Sequence, residues 1–244
     1  MFKWSQRVGP FARTTTVMVI VVGLTGFALV ASAASLGGIG VGSIFTQETA
    51  VDIDVPDPPG PIVSTDFSGC TNFIDGWTDG SGATWTSHSG NWQCLGHDVV
   101  RAQRRVSFAN LTVGIEHSTG IRVSTDIFDI SHQANRSGPG LALLHDGAGD
   151  YLYVIYRRDD QELSIGVSGE GRFAVVSGLG DLDTGVMSAS IVGDDLYVDF
   201  AGAMVGPFDL NDEAPDLLGN TRFGLVADKD NFSKFNNFTI ELLP

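Results

Sequence analysis

The sequence predicts an all-β protein built as a two-sheet antiparallel sandwich, preceded by an N-terminal hydrophobic helix. Three observations lead there. Helical periodicity is nearly absent beyond residue 60, and the chain carries 31 glycines among its 244 residues. Short runs rich in Val, Ile, Phe and Tyr recur between Gly/Asp/Asn/Ser clusters, the signature of strands joined by turns. Hairpin signals punctuate them: "HDGAGD" (145–150), "RRDDQE" (157–162), "SGEG" (168–171) and "VGDD" (192–195).

In chain order, "MFKWSQRVGPFAR" is basic and "TTTVMVIVVGLTGFALVASAA" (14–34) is uncharged. That stretch is long enough to span a bilayer as a helix. With Ala31-Ser32-Ala33 as a small-residue cleavage site it also reads as a secretory leader. Residues 1–34 are thus either a removed signal peptide or a retained membrane anchor. In both cases the remainder is exported, to an extracellular or cell-surface location. Residues 35–61 form a Gly- then Pro-rich linker, stiffened by "VDIDVPDPPGP". The sandwich is expected over 62–244.

Strands are expected at about 62–67, 83–87, 91–94, 97–101, 104–109, 111–116, 120–129, 139–145, 150–157, 162–167, 172–177, 186–193, 195–200, 205–208, 221–227 and 234–242. Pro215 limits the one helical candidate, 210–219, to a turn or so. No internal repeat is visible, which disfavours a solenoid or propeller. The closing "FGLVADKDNFSKFNNFTIEL" (223–242) alternates Phe238, Ile240 and Leu242 with Asn237, Thr239 and Glu241. Such a strand must pair inside a sheet, with its phenylalanines in the core.

Charge narrows the partners. The formal net charge is −15, and Lys3, Arg7 and Arg13 lie in the first 16 residues, which hold no acid. The exported part is more acidic still, so nucleic acid is excluded as a partner. Cys70 and Cys94, the two cysteines, fall in that part, where an oxidising compartment favours a disulfide.

The order of motifs resembles concanavalin A-like, laminin-G-like jelly-roll domains of exported proteins. The resemblance rests on "DFSGCTNFIDGWTDGSGATWTSHSGNWQCLGHDVVRA" (66–102), on the meander "GPGLALLHDGAGDYLYVIYRRDDQELSIGVSGEGRF" (138–173), and on the closing strands. It implies a jelly roll whose last strand returns beside the first, so that 236–242 pairs near 63–67. It also implies a structural calcium, for which Asp66, Asp228 and Asp230 are candidates, although Asn236 stands where relatives often show Asp. The superfamily includes lectins, adhesive modules and glycosidases, so it does not itself fix function.

Chemistry is sparsely signalled. β-Glucan-cleaving members of the superfamily carry a Glu-x-Asp-x-x-Glu strand, and none occurs here. His88, His97, His117, His132 and His145 lie outside any nucleophile motif, and His132 and His145 read as turn residues. The expectation is therefore no enzyme activity, no catalytic residues and no cofactor beyond that calcium. A binding face is a better fit. Tyr151, Tyr153 and Arg157 share one side of "YLYVIYR", and Arg122, Ser124 and Asp126 share one side of "IRVSTDIF". If both sets line one sheet, taken as neighbouring strands, they would make an aromatic and polar groove for a glycan or a surface protein. The membrane would be a further partner through 14–34. The alternatives are half-buried tyrosines with solvated charges, a structural subunit of a surface layer or filament, and a glycosidase using other carboxylates.

Overall fold

The computed structural model describes residues 60–101, 108–130, 138–228 and 232–244. The leader, nearly all of the linker, Asp230 and His132 lie outside the described residues.

Among the described residues fifteen strands form: β1 Val63–Thr65, β2 Trp85–Ser89, β3 Trp92–Cys94, β4 Val99–Arg101, β5 Phe108–Gly114, β6 Ile121–Phe128, β7 Pro139–Leu143, β8 Leu152–Arg157, β9 Glu162–Val167, β10 Gly171–Ser177, β11 Gly185–Val192, β12 Asp195–Phe200, β13 Ala203–Asp209, β14 Arg222–Asp228 and β15 Lys234–Leu242. β5 joins the end of the expected strand 104–109 to most of the expected 111–116, and residues 104–107 lie outside the described residues. The helical candidate is one turn, α1 Leu210–Glu213, followed by a 3₁₀ turn that Pro215 opens. Asp209 caps α1 by accepting the Asn211 amide hydrogen.

The strands make two antiparallel sheets. One has eight strands in the order β13-β12-β11-β6-β15-β4-β3, with β1 also paired to β15; the other has seven, β10-β9-β8-β7-β14-β5-β2. As expected, the last strand returns beside the first, placing Val63 against Ile240 and Thr65 against Phe238. Phe235 and Phe238 are both fully buried although three residues apart. Strict alternation would send one of them outward. A register shift between Asn236 and Thr239, with Asn237 at φ 47°, inserts the extra residue that turns both inward. Phe232, which the spacing placed with them, is half-buried.

The core between the sheets is aromatic. Phe67 and Phe238 pack on Trp85 at 5.3 and 4.9 Å between ring centroids, and Trp92 lies 5.7 Å from Phe235. Each fully buried ring contributes roughly 2–3 kcal/mol. Buried Asp79 organises the Gly-rich loop before β2: it accepts hydrogen bonds from Ser81 and Ala83 and from the Trp85 indole Nε1 at 3.0 Å. Cys70 and Cys94 are disulfide-bonded, 5.8 Å apart at Cα and 24 residues apart in sequence. Closing a loop of that length removes roughly 3 kcal/mol of unfolded-chain freedom.

Candidate functional site

Each sheet turns one face to the core and one outward, and alternation sorts the side chains between them. On β8, Leu152, Val154 and Tyr156 join the core, while Tyr153 and Ile155, with Tyr151 just before the strand, form a second, smaller apolar cluster with Ala142 and Val226. On β6, Val123, Thr125 and Ile127 are buried, whereas Arg122, Ser124 and Asp126 face outward. The two sets therefore do not share a groove. β6 belongs to the eight-stranded sheet and β8 to the seven-stranded one, so they occupy opposite outer faces of the sandwich.

The outer face of the seven-stranded sheet is closed. Tyr151 and Tyr153 are buried, and so are Ile155, Ser164, Thr112 and Val226, so the tyrosines are not open platforms. Burial raises the Tyr153 hydroxyl above the usual tyrosine range. Glycines let strands and side chains come this close. A Cβ on Gly140 would meet the Val154 carbonyl oxygen at 1.8 Å, and one on Gly166 would meet the Tyr153 hydroxyl at 2.6 Å. At one end, Arg157 pairs with the buried Asp228 at 3.5 Å and with Glu162 at 3.9 Å, and Arg172 adds a 2.9 Å bond to Glu162. At the other end the rings of His88, His145 and Tyr151 stack, with centroid separations of 4.0 and 5.3 Å. His145 is fully buried rather than the open turn residue its hairpin position suggested.

The outer face of the eight-stranded sheet is open and mixed, with polar side chains at its centre and Phe128, Val186, Val192 and Met204 exposed around them. The registers align Met204, Asp199, Ser188, Ser124, Thr239 and Ser64 in one line across six strands. At the usual strand spacing that line is about 24 Å long. A second line runs beside it: Tyr197, Ser190, Arg122 and Glu241. Hydrogen bonds fix these side chains. Arg122 Nε donates to Ser190 Oγ at 3.2 Å, the Ser124 and Thr239 hydroxyls lie 2.6 Å apart, and Asn237 Nδ2 donates to Asp126 Oδ2 at 2.6 Å. Two depressions mark the face, one of 170 Å³ around Arg122, Ser190, Tyr197 and Asp199, the other of 380 Å³ between Asp66, Ser68, Gly80 and Asn237. Hydroxyls, a guanidinium, carboxylates and a half-exposed tyrosine on one surface can exchange hydrogen bonds with a polyhydroxylated ligand and stack on one of its rings.

Arg122, Ser124 and Asp126 thus keep the open setting foreseen for them. Ser188, Ser190, Tyr197 and Asp199 were missed, although "MSASIV" and "DLYVD" carry the same inward–outward alternation as "IRVSTDIF". The two calcium candidates among the described residues, Asp66 and Asp228, lie at strand ends in different sheets. Asp66 follows β1 in the eight-stranded sheet; its carboxylate accepts the Ser68 amide hydrogen and lies 3.4 Å from His97 Nδ1. The Ser68 bonds lead in lowering its pKa. Asp228 ends β14 in the other sheet, against Arg157. Among the described residues no three His, Cys, Asp or Glu side chains gather as a metal cluster.

No family model and no curated protein matches the sequence. Among solved structures, the chain is similar to one from work on endo-acting O-glycanases of the human gut microbiota, with 10% identity, TM-score 0.55, and 76% of this chain and 100% of that one covered. It is also similar to the carbohydrate-binding module CBM66 from Bacillus subtilis, with 16% identity, TM-score 0.49, and 64% and 94% covered. A third is a glycosyl hydrolase family 16 protein from Mycobacterium smegmatis, with 12% identity, TM-score 0.48, and 74% and 100% covered. The likeness is one of fold: the chain is a two-sheet antiparallel β-sandwich.

Proposed function

We propose that the protein is an exported, non-catalytic binding module that holds a glycan against the open face of its eight-stranded sheet. The observation that carries this reading is the line of polar side chains across five strands, from Asp199 to Ser64, flanked by Arg122 and Tyr197. Arg122 and the hydroxyls supply donors, Asp126 and Asp199 supply acceptors, and Tyr197 supplies a ring for a sugar to stack on. A sandwich fold that it shares with a structure from O-glycanase work agrees with a carbohydrate ligand, as does an N-terminal leader that would deliver the domain outside the cell. The missing Glu-x-Asp-x-x-Glu strand supports binding without hydrolysis.

The test is a glycan array probed with the full-length protein in detergent, followed by titration of each hit and assay of reducing ends. Tyr197→Ala and Arg122→Ala should each weaken a hit about tenfold, the scale of a lost stacking or charged hydrogen-bond contact. Their melting temperatures should stay at the wild-type value. A blank array from folded protein overturns the reading, as does binding that survives both substitutions. Release of reducing ends would replace a binding module with a glycosidase.

A further inference from the structure

His145 is held on three sides. Its backbone N–H donates to the Arg222 carbonyl at 2.9 Å, and its ring lies between those of His88 and Tyr151. Its Nδ1 accepts the Gly147 amide hydrogen at 2.8 Å. That bond leaves the proton of the neutral imidazole on Nε2, which is buried without a hydrogen-bond partner. A second proton can therefore enter only at Nδ1, and it must break the bond to Gly147. Protonation also sets a cation in a dry site 4.0 Å from the ring of His88, whose own Nε2 is 2.8 Å from the Thr112 hydroxyl.

We propose that the His88–His145 pair is an acid-operated latch: protonation of His145 breaks its bond to Gly147, releases the hairpin 145–150 and uncovers the ring of Tyr151. The charged groups around the pair are Asp146 on the hairpin itself, Arg222 on β14 and Asp75 in the loop before β2. Arg222 opposes a proton on either ring, and the two aspartates favour one. Asp146 does not compete in the same pH range. Its carboxylate accepts the amide hydrogens of Ala148, Gly149 and Asp150, and its pKa lies below the ordinary carboxylate value. Burial, then the neighbouring His88, hold His145 at about 4 against an ordinary 6.5. The open hairpin thus binds the proton more readily than the closed one. The latch is fully closed above pH 6.5, weakens as pH falls from there toward 4, and gains nothing further from acid below that.

The test follows the Gly147 amide by hydrogen exchange in the full-length protein, expressed as a protection factor so that intrinsic pH effects cancel. From about pH 7 to about pH 4.5 protection should fall about fiftyfold, the change that a shift of this size delivers. In His145→Gln, whose amide accepts the same bond but takes no proton, protection should stay flat. A fold lost in that variant would not close the question, because His88→Gln gives a second readout. Without its ring neighbour, the His145 imidazole signals should titrate at higher pH than in the wild type. The proposal falls if Gly147 stays protected at about pH 4.5, if His145→Gln opens over the same range, or if His88→Gln leaves the His145 titration in place.

Discussion

The two outer faces of this sandwich are made by the same alternation and end in opposite states. On the eight-stranded sheet the outward residues of β6 are Arg122, Ser124 and Asp126, and they meet open surface. On the seven-stranded sheet the outward residues of β8 are Tyr153, Ile155 and Arg157, and the first two are buried as deeply as the core. An outward position in a strand is therefore not yet a surface position. One face leaves hydroxyls, a guanidinium and carboxylates accessible, and the other buries its tyrosines between a histidine stack at one end and an ion pair at the other.

Substitutions matched across the faces should separate these roles. The largest effect is expected at Gly140. Any Cβ there runs into the β8 backbone, so Gly140→Ala should cost about 4 kcal/mol or more and abolish cooperative unfolding by denaturant. Next is the buried ion pair. Asp228→Ala leaves Arg157 only its longer contact to Glu162 and should cost about 3 kcal/mol, whereas Asp126→Ala on the open face should cost a few tenths at most in the same urea titration. The tyrosines sharpen the comparison. Tyr153→Ala should lose about 3 kcal/mol of stability as a core truncation does, while Tyr197→Ala should change glycan affinity and leave the urea midpoint alone. The smallest effect concerns calcium. With Asp66 engaged by Ser68 and Asp228 by Arg157, calcium or a chelator should leave the melting temperature unchanged. A rise with calcium would show that Asp66, Asp228 and Asp230 do gather around an ion.

Much of the fold was legible because its signals are local. Period-2 runs placed most strands within a few residues, and Pro215 shortened the one helical segment as it had to. The pairing of the last strand with the first followed the motif order of the jelly-roll resemblance. The bulge near Asn237 was not legible: "FNNF" sets two phenylalanines three residues apart, and only the register with β6 shows the extra residue that turns both inward. Nor was the burial of His145, because "LLHDG" looks like any turn until His88, 57 positions earlier in the chain, stacks on it.

By itself the sequence determined which residues form strands, which of them point inward, and that its two cysteines would join. Beyond the hairpins and the pairing of the last strand with the first, only the tertiary structure decided which strands are neighbours, and so which outward residues meet. Arg122 finds Ser190 across 68 positions and Ser124 finds Thr239 across 115. Alternation is fixed by the geometry of each residue's own backbone, whereas adjacency depends on how every strand packs against all the others.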